Sequence, residues 1–275
     1  MRPWQWIKNG LVLVPLVFGL RLGYMSDVYL ALGAFLVFCL VSSAVYCLND
    51  VLDLRTDLLD EENKKRPLAA GMIGVTPTIL VSIVLLIGGL AISLSLVSPM
   101  LAGIISVYYV LNLVYAIYLK QIIPWGAIVI ALGFVLRVYA GASVIAIELS
   151  SWLILVTFFT ALFVSLIKLK HKFANSSNIN DQSYTIYLDA SVNITAGLVI
   201  VIYCLWVILG QEMLIDQRML VSIPFVIGGI LRFIFLNREA NINRDPTILI
   251  FKDKQLLVTF ACWMISCILC LYVQW

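Results

Sequence analysis

Charge is scarce in this sequence: only 12% of its 275 residues are Asp, Glu, Lys or Arg, about half the share usual in soluble domains. With 63% hydrophobic residues and a mean hydropathy of +1.05, there is too little polar surface to coat a water-soluble fold, so that class is excluded. Histidine is almost missing. His171 stands alone in a basic segment, and it reads as a solvated residue rather than part of a histidine-built metal site. The six cysteines, Cys39, Cys47, Cys204, Cys262, Cys267 and Cys270, sit almost entirely within apolar runs and lack the paired spacing of a zinc site, so they read as small packing residues. A basic stripe interleaved with aromatics is also lacking, and with a net charge of only +3 no nucleic-acid partner is expected. No small-residue cleavage site follows the first apolar stretch, which therefore reads as a retained segment rather than a cleaved signal.

What the chain does have is a succession of long apolar runs. A helix crossing the roughly 30 Å hydrocarbon layer uses about 20 residues. Runs and breakers together predict nine spans near 10–25, 28–49, 77–97, 99–119, 123–146, 150–168, 191–210, 217–236 and 255–274. Pro77, Ser98–Pro99 and Pro124 mark helix starts, where a missing N–H does no harm. The reading is an all-α, polytopic membrane protein forming a single transmembrane domain over 1–275. Of the 18 Lys and Arg, all but Arg21, Arg218 and Arg137 fall in alternate segments that become cytoplasmic if the N-terminus is inside; the C-terminus is then outside. The inner segments, near 50–76, 169–190 and 237–254, are also the longer, polar ones, whereas the outer connections around Ser98, Glu148 and Glu212 are short. The Asn/Ser-rich stretch Asn175 to Asn180 reads as a mobile loop.

The segment YCLNDVLDLRTDLLDEENKKRPLAAG, residues 46–71, carries the chemistry. If the second helix continues past its apolar limit, Asn49, Asp50, Asp53 and Asp57 line one face. A single Asp at the bilayer centre costs about 2.5–3.5 kcal/mol even on the lenient insertion scale, so three acids cannot face lipid. They must meet water, protein or a cation, and Mg²⁺, which takes oxygen ligands and bridges carboxylates to phosphate, is the natural one. Asp60, Glu61 and Glu62, by contrast, read as a solvated helix end. Arg137 is a lone cation inside an apolar helix, where such residues face a cavity or a partner.

At these residues the chain resembles the UbiA superfamily of intramembrane prenyltransferases. The first metal motif of that superfamily, NDxxDxxxD, is matched by Asn49, Asp50, Asp53 and Asp57. Within it the chain is most similar to decaprenyl-phosphate phosphoribosyltransferase-like members, through RPWQWIKN, RPLAAG, YAIYLK, ALGFVLRVYAGA, SSWL, SYTIYLDA, IPFVIGGILRF and RDPTILIFKD. The resemblance implies a helical bundle around a central cavity in a bacterial plasma membrane. It implies Mg²⁺ as cofactor on Asn49, Asp50, Asp53 and Asp57, with Asp50 and Asp53 as catalytic residues. The implied reaction is phosphoribosyl transfer from phosphoribosyl pyrophosphate, a phosphorylated sugar donor, to a polyprenyl phosphate lipid. Lys8, Lys64, Arg66, Tyr115, Lys120, Arg137 and Lys168 are implied to bind phosphate or substrate, and Tyr184 to close the site.

The chain also departs from that pattern. An RxHPxK stretch expected after Asp57 is replaced, with Leu58, Asp60, Glu61 and Asn63 at its places. Gly126 stands where an acid is expected after the YAIYLK block, and a KRxxE-like stretch becomes Lys168, Leu169, Lys170, His171 and Lys172. Three readings stay open: an altered donor pose, a different donor or acceptor, and a non-catalytic scaffold. Transfer of a polyprenyl group to an aromatic acceptor is the competing enzymatic reading. It is disfavoured because residues 110–140 hold no second aspartate-rich motif.

Overall fold

The computed structural model describes residues 3–60, 63–174, 181–209, 217–239 and 253–272, which are helices and short turns with no strand among the described residues. They group into two compact units, Met1–Leu149 and Ser150–Trp275.

The first unit begins with a 3₁₀ helix, Pro3–Leu13, that runs into α1, Val14–Phe18. It continues with α2 (Met25–Leu52), the short α3 (Leu54–Asp57), α4 (Val75–Ile92), α5 (Pro99–Ile117) and α6 (Trp125–Val144). A π-helical turn, Ser93–Val97, prolongs α4. The Ser98 hydroxyl then accepts from the Met100 N–H while Pro99 opens α5, a polar N-cap followed by proline at the first helical position. In the second unit, α7 (Ser151–Ala174), α8 (Asp181–Leu209), α9 (Ile223–Glu239) and α10 (Lys254–Tyr272) follow one another, α7 packing on α8 and α9 on α10.

Eight of these helices are long and apolar enough to cross a membrane. The first expected span, near 10–25, is corrected. Its helix covers Pro3–Phe18, and the chain turns at Gly19–Tyr24, where Leu20 takes a positive φ of 56°. Hydropathy could not place that turn, because most of residues 19–24 are apolar. A 3₁₀ helix rises about 2.0 Å per residue against 1.5 Å in an α-helix, so Pro3–Phe18 still extends about 30 Å, the thickness of the hydrocarbon layer. The polar segment near 169–190 is also more helical than expected, since α7 runs to Ala174 and α8 starts at Asp181. Asn175–Asn180, Glu212, Arg244 and most of the RDPTILIFKD block lie outside the described residues, and the side chain of Lys172 does so as well.

Lipid tails are as apolar as leucine, so helices in a bilayer associate through close packing and interhelical hydrogen bonds. The first unit uses both. A Cβ on Gly141 of α6 would lie 1.9 Å from the Val12 carbonyl oxygen, and one on Gly89 of α4 would lie 2.7 Å from Val41 of α2, so only glycine permits these approaches. Ser82 donates to the Ala44 carbonyl at 2.8 Å and Trp6 donates to Ser43 at 3.1 Å, tying α4 and the first helix to α2. Val37, Phe38, Val41, Leu101 and Ile105 fill the space between α2 and α5. The described cysteines are free thiols on helices, Cys39, Cys47 and Cys267 buried, consistent with a packing role.

Candidate functional site: an acidic stripe with two resident cations

α2 does not run unbroken through the acidic segment, yet the stripe keeps its register. At Asp53 the backbone relaxes to φ −88° and ψ 0°, ending α2 and opening α3. Across this joint the Asp53 N–H donates to the Asn49 carbonyl and the Asp57 N–H to the Asp53 carbonyl, each at 2.8 Å. These bonds have α-helical spacing, so Asn49, Asp53 and Asp57 stay one turn apart along a common face. Exposure falls where a solvated helix end would raise it: Asp57 is only 4% exposed, and Asn49, Asp50 and Asp53 are half-buried. Asp60, the expected solvated acid, is exposed, and its carboxylate instead accepts the Asn63 N–H at 2.8 Å in the turn that follows.

Two cations sit on the stripe. The Arg66 Nη1 lies 2.5 Å from Asp57 and 3.7 Å from Asp50, so one guanidinium nitrogen is shared by two carboxylates nine and sixteen positions away. Lys120, in the 3₁₀ turn Leu119–Gln121 after α5, pairs with Asp53. Tyr115, on the last turn of α5, lies within electrostatic reach of Asp53. Arg66 and Lys120 thus neutralise part of the mutual repulsion among the three carboxylates. Among the described residues no group of three or more His, Cys, Asp or Glu side chains converges on one point. The donor chemistry nevertheless suits a hard divalent cation, being all oxygen from carboxylates and one amide, and Arg66 marks a position where positive charge is shared by Asp50 and Asp57.

Gly126 shows how the departure from the family pattern is accommodated. A Cβ there would come within 2.8 Å of the Leu119 carbonyl oxygen and 3.5 Å of the Tyr115 ring. The turn carrying Lys120 closes against α6 at this point, and an acidic side chain has no room in it.

Arg137, expected to face a cavity or a partner, meets partners inside the first unit. It lies twelve residues into α6, about 18 Å from the start of that helix, and is 5% exposed. Its Nε donates to Asn9 at 2.8 Å, Nη1 to the Gly133 carbonyl at 2.7 Å and Nη2 to the Tyr108 hydroxyl at 2.7 Å. The guanidinium carbon lies 4.7 Å from the Tyr108 ring centre and 5.2 Å from that of Phe134. Asn9 passes the network to Ser42 on α2 at 3.0 Å. Neutral oxygens and ring faces thus satisfy a buried cation, and the network ties the first helix, α2, α5 and α6 together.

The remaining expected residues sit on four other elements. Lys8 is half-buried on the first 3₁₀ helix and Lys64 is exposed on the Asn63–Lys65 turn. Lys168 and Tyr184 belong to the second unit, on α7 and α8, both exposed. His171 corrects the solvated reading: because α7 continues past its apolar limit, the residue is 9% exposed and lines a small pocket of mixed character whose polar residues include Lys170, Asp189, Asn193, Asn237 and Arg238. Lys170 pairs there with Asp189 at 2.6 Å. Sequence reasoning passed over Asn9 as a functional residue; its only signal was an amide inside the otherwise apolar stretch that follows Lys8.

A model of the UbiA prenyltransferase family matches residues 12–252. The decaprenyl-phosphate phosphoribosyltransferase of Mycolicibacterium smegmatis is 30% identical over 96% of this chain and 88% of its own length. The protein of the same name from Corynebacterium glutamicum is 30% identical over 100% of this chain and 86% of its own. Among solved structures, a UbiA homolog from Archaeoglobus fulgidus bound to DMAPP and Mg²⁺ superposes with a TM-score of 0.73 at 18% identity, covering 99% of this chain and 98% of that one.

Proposed function

We propose, from the premise that the chain belongs to the UbiA prenyltransferase family, that it is a Mg²⁺-dependent membrane transferase moving a phosphoribosyl group from phosphoribosyl pyrophosphate to a polyprenyl phosphate. The observation that carries this reading is the partly buried, register-locked stripe of Asn49, Asp50, Asp53 and Asp57 with Arg66 and Lys120 upon it. The donor and acceptor follow the names of relatives that share nearly the whole chain.

Asn49, Asp50, Asp53 and Asp57 would hold Mg²⁺, which when bound supplies positive charge to the diphosphate that leaves the sugar. The acceptor phosphate oxygen attacks the anomeric carbon of the ribose as the bond from that carbon to the diphosphate oxygen breaks. Charge builds on the leaving diphosphate, so stabilisation belongs where its oxygens sit. Arg66 and Lys120 are resident counter-ions of the carboxylates and, in exchange, phosphate ligands. The Tyr115 hydroxyl lies on the same helix end and donates to a phosphate oxygen. Lys8, Lys64, Lys168 and Tyr184 are assigned to substrate by family resemblance alone. The N-terminus and the acidic stripe are placed on the cytoplasmic side, with the C-terminus outside, following the Lys and Arg distribution.

Purified protein given Mg²⁺, a polyprenyl phosphate and labelled phosphoribosyl pyrophosphate is expected to make a lipid-linked labelled product, lost on chelation. A parallel reaction with a polyprenyl diphosphate and an aromatic acid tests the alternative. Product in the second reaction alone would replace the phosphoribosyl reading with prenyl transfer, and product in neither would point to a scaffold.

A further inference from the structure

Outside the acidic stripe, the second unit carries a groove of about 490 Å³ between α9 and α10, lined by Gly228, Arg232, Lys254, Gln255, Val258 and Thr259. Its lining is sorted by polarity along the helix axes. On α9, Arg232 stands one turn after Gly228, and on α10, Lys254 and Gln255 stand one turn before Val258 and Thr259. The pair Arg232–Asp253, at 2.8 Å, joins the middle of α9 to the start of α10, so the two cationic positions fall at the same end of the groove. A polar mouth and an apolar floor are therefore separated by about 5.4 Å, one helical turn.

The groove opens because of one glycine. A Cβ on Gly228 would meet nothing within 4 Å, whereas one on Gly229 would lie 3.6 Å from Thr259. The helices thus touch through Gly229 and part beside Gly228. Arg232 is held in place, with Nε and Nη2 directed to Asp253 and its guanidinium 5.3 Å from the Phe235 ring centre. Asp253 in turn accepts the Leu256 N–H at 2.8 Å, fixing it to the first turn of α10. That carboxylate pairs with Arg232, and exposed Lys254 adds a second positive charge at the same end. The floor includes Val258, which is 62% exposed. A water-soluble sugar phosphate has nothing to gain from such a floor, whereas a molecule with an anionic head and a hydrocarbon tail satisfies both ends.

We propose that this groove binds the phosphate headgroup of an anionic membrane lipid, Lys254 and Arg232 meeting the phosphate and an acyl chain lying along Gly228 and Val258. The site does not depend on the transfer reaction and stands or falls separately from it.

Native mass spectrometry of the full-length protein in detergent tests it, with phosphatidylglycerol, phosphatidylcholine, a polyprenyl phosphate and inorganic phosphate as separate additions. The wild type is expected to retain phosphatidylglycerol in preference to phosphatidylcholine, and inorganic phosphate is not expected to displace it. Lys254→Gln should weaken retention about fivefold. Gly228→Leu fills the groove while leaving every charge in place and should abolish retention, with unchanged thermal unfolding showing that the fold is intact. Equal retention of the two phospholipids, preference unaltered by both variants, or displacement by inorganic phosphate would overturn the proposal. So would stronger retention of the polyprenyl phosphate than of phosphatidylglycerol, which would make the groove an acceptor site.

Discussion

The two units of this chain handle charge at their polar ends in opposite ways. In the first, Asp50, Asp53 and Asp57 sit on one helical face with Arg66 and Lys120 upon it, and one guanidinium bridges two carboxylates. In the second, Lys170 pairs with Asp189 and Arg232 with Asp253, each acid with a base on another helix, and Lys254 adds an exposed cation. One-to-one pairing is a structural solution, because each carboxylate is satisfied inside the protein. Carboxylates clustered on a half-buried face repel one another and favour a further cation, which is why the first unit reads as a metal site and the second as an anion-facing surface.

The largest expected effect lies in that contrast. Asp50→Asn should reduce transfer by about 100-fold or more, since even a partner of a metal ligand is worth about 10–100-fold. Asp253→Asn should leave transfer within about twofold, as expected for a partly exposed structural pair. Steady-state rates for the two variants decide it, and comparable losses would erase the distinction between the units.

Next comes the network that carries α2. Asn9→Leu removes the acceptor for the Arg137 Nε and the donor to Ser42. It should cost about 1–3 kcal/mol, the penalty for stranding buried polar groups. Thermal unfolding in detergent measures this, and an unchanged midpoint would show that water or lipid replaces the amide at no cost.

A smaller effect sharpens the role of the resident cations. Lys120→Gln removes the competitor for Asp53, so binding of Mg²⁺ alone should tighten by up to about fivefold, the ceiling for a partly exposed ion pair. Binding of diphosphate in saturating Mg²⁺ should weaken in the same variant. If both weaken together, Lys120 organises the site rather than balancing it.

The smallest effect is a pH dependence in the second unit. Hydrogen bonds from Arg232 and from the Leu256 N–H hold the Asp253 carboxyl below the usual carboxylate range. A lowered folded-state pKa means that this stabilisation is fully present above the unfolded value, about 3.9. It is lost as pH falls through the folded value. Asp253→Asn should therefore flatten the acid limb of thermal stability below about pH 4, and an unchanged limb would assign it to other carboxylates.

The sequence made some of this legible because the signals are local. Apolar runs located eight membrane-length helices, Ser98–Pro99 announced the start of α5, and the three- and four-residue spacing of Asn49, Asp50, Asp53 and Asp57 put them on one face. What stayed hidden depends on distance along the chain or on backbone choice. Arg66 bridges Asp50 and Asp57 across a turn, and Arg137 meets Asn9 across 128 positions, which no periodicity encodes. The stretched 3₁₀ form of Pro3–Leu13 and the turn at Leu20 shifted the first helix, since hydropathy reports composition and not rise per residue. His171 looked solvated because α7 appeared to stop near Lys168; three more residues of helix carry it into a pocket.

The central claim is that a cation and a phosphorylated ligand together complete the charge balance of the acidic stripe. Isothermal titration of the full-length protein with Mg²⁺ and diphosphate, separately and together, tests it most directly, with Asp53→Ala alongside. Diphosphate should bind the wild type only when Mg²⁺ is present and Mg²⁺ more tightly when diphosphate is present, and this coupling should vanish in the variant. Diphosphate binding that ignores Mg²⁺, or coupling that survives Asp53→Ala, would contradict the account.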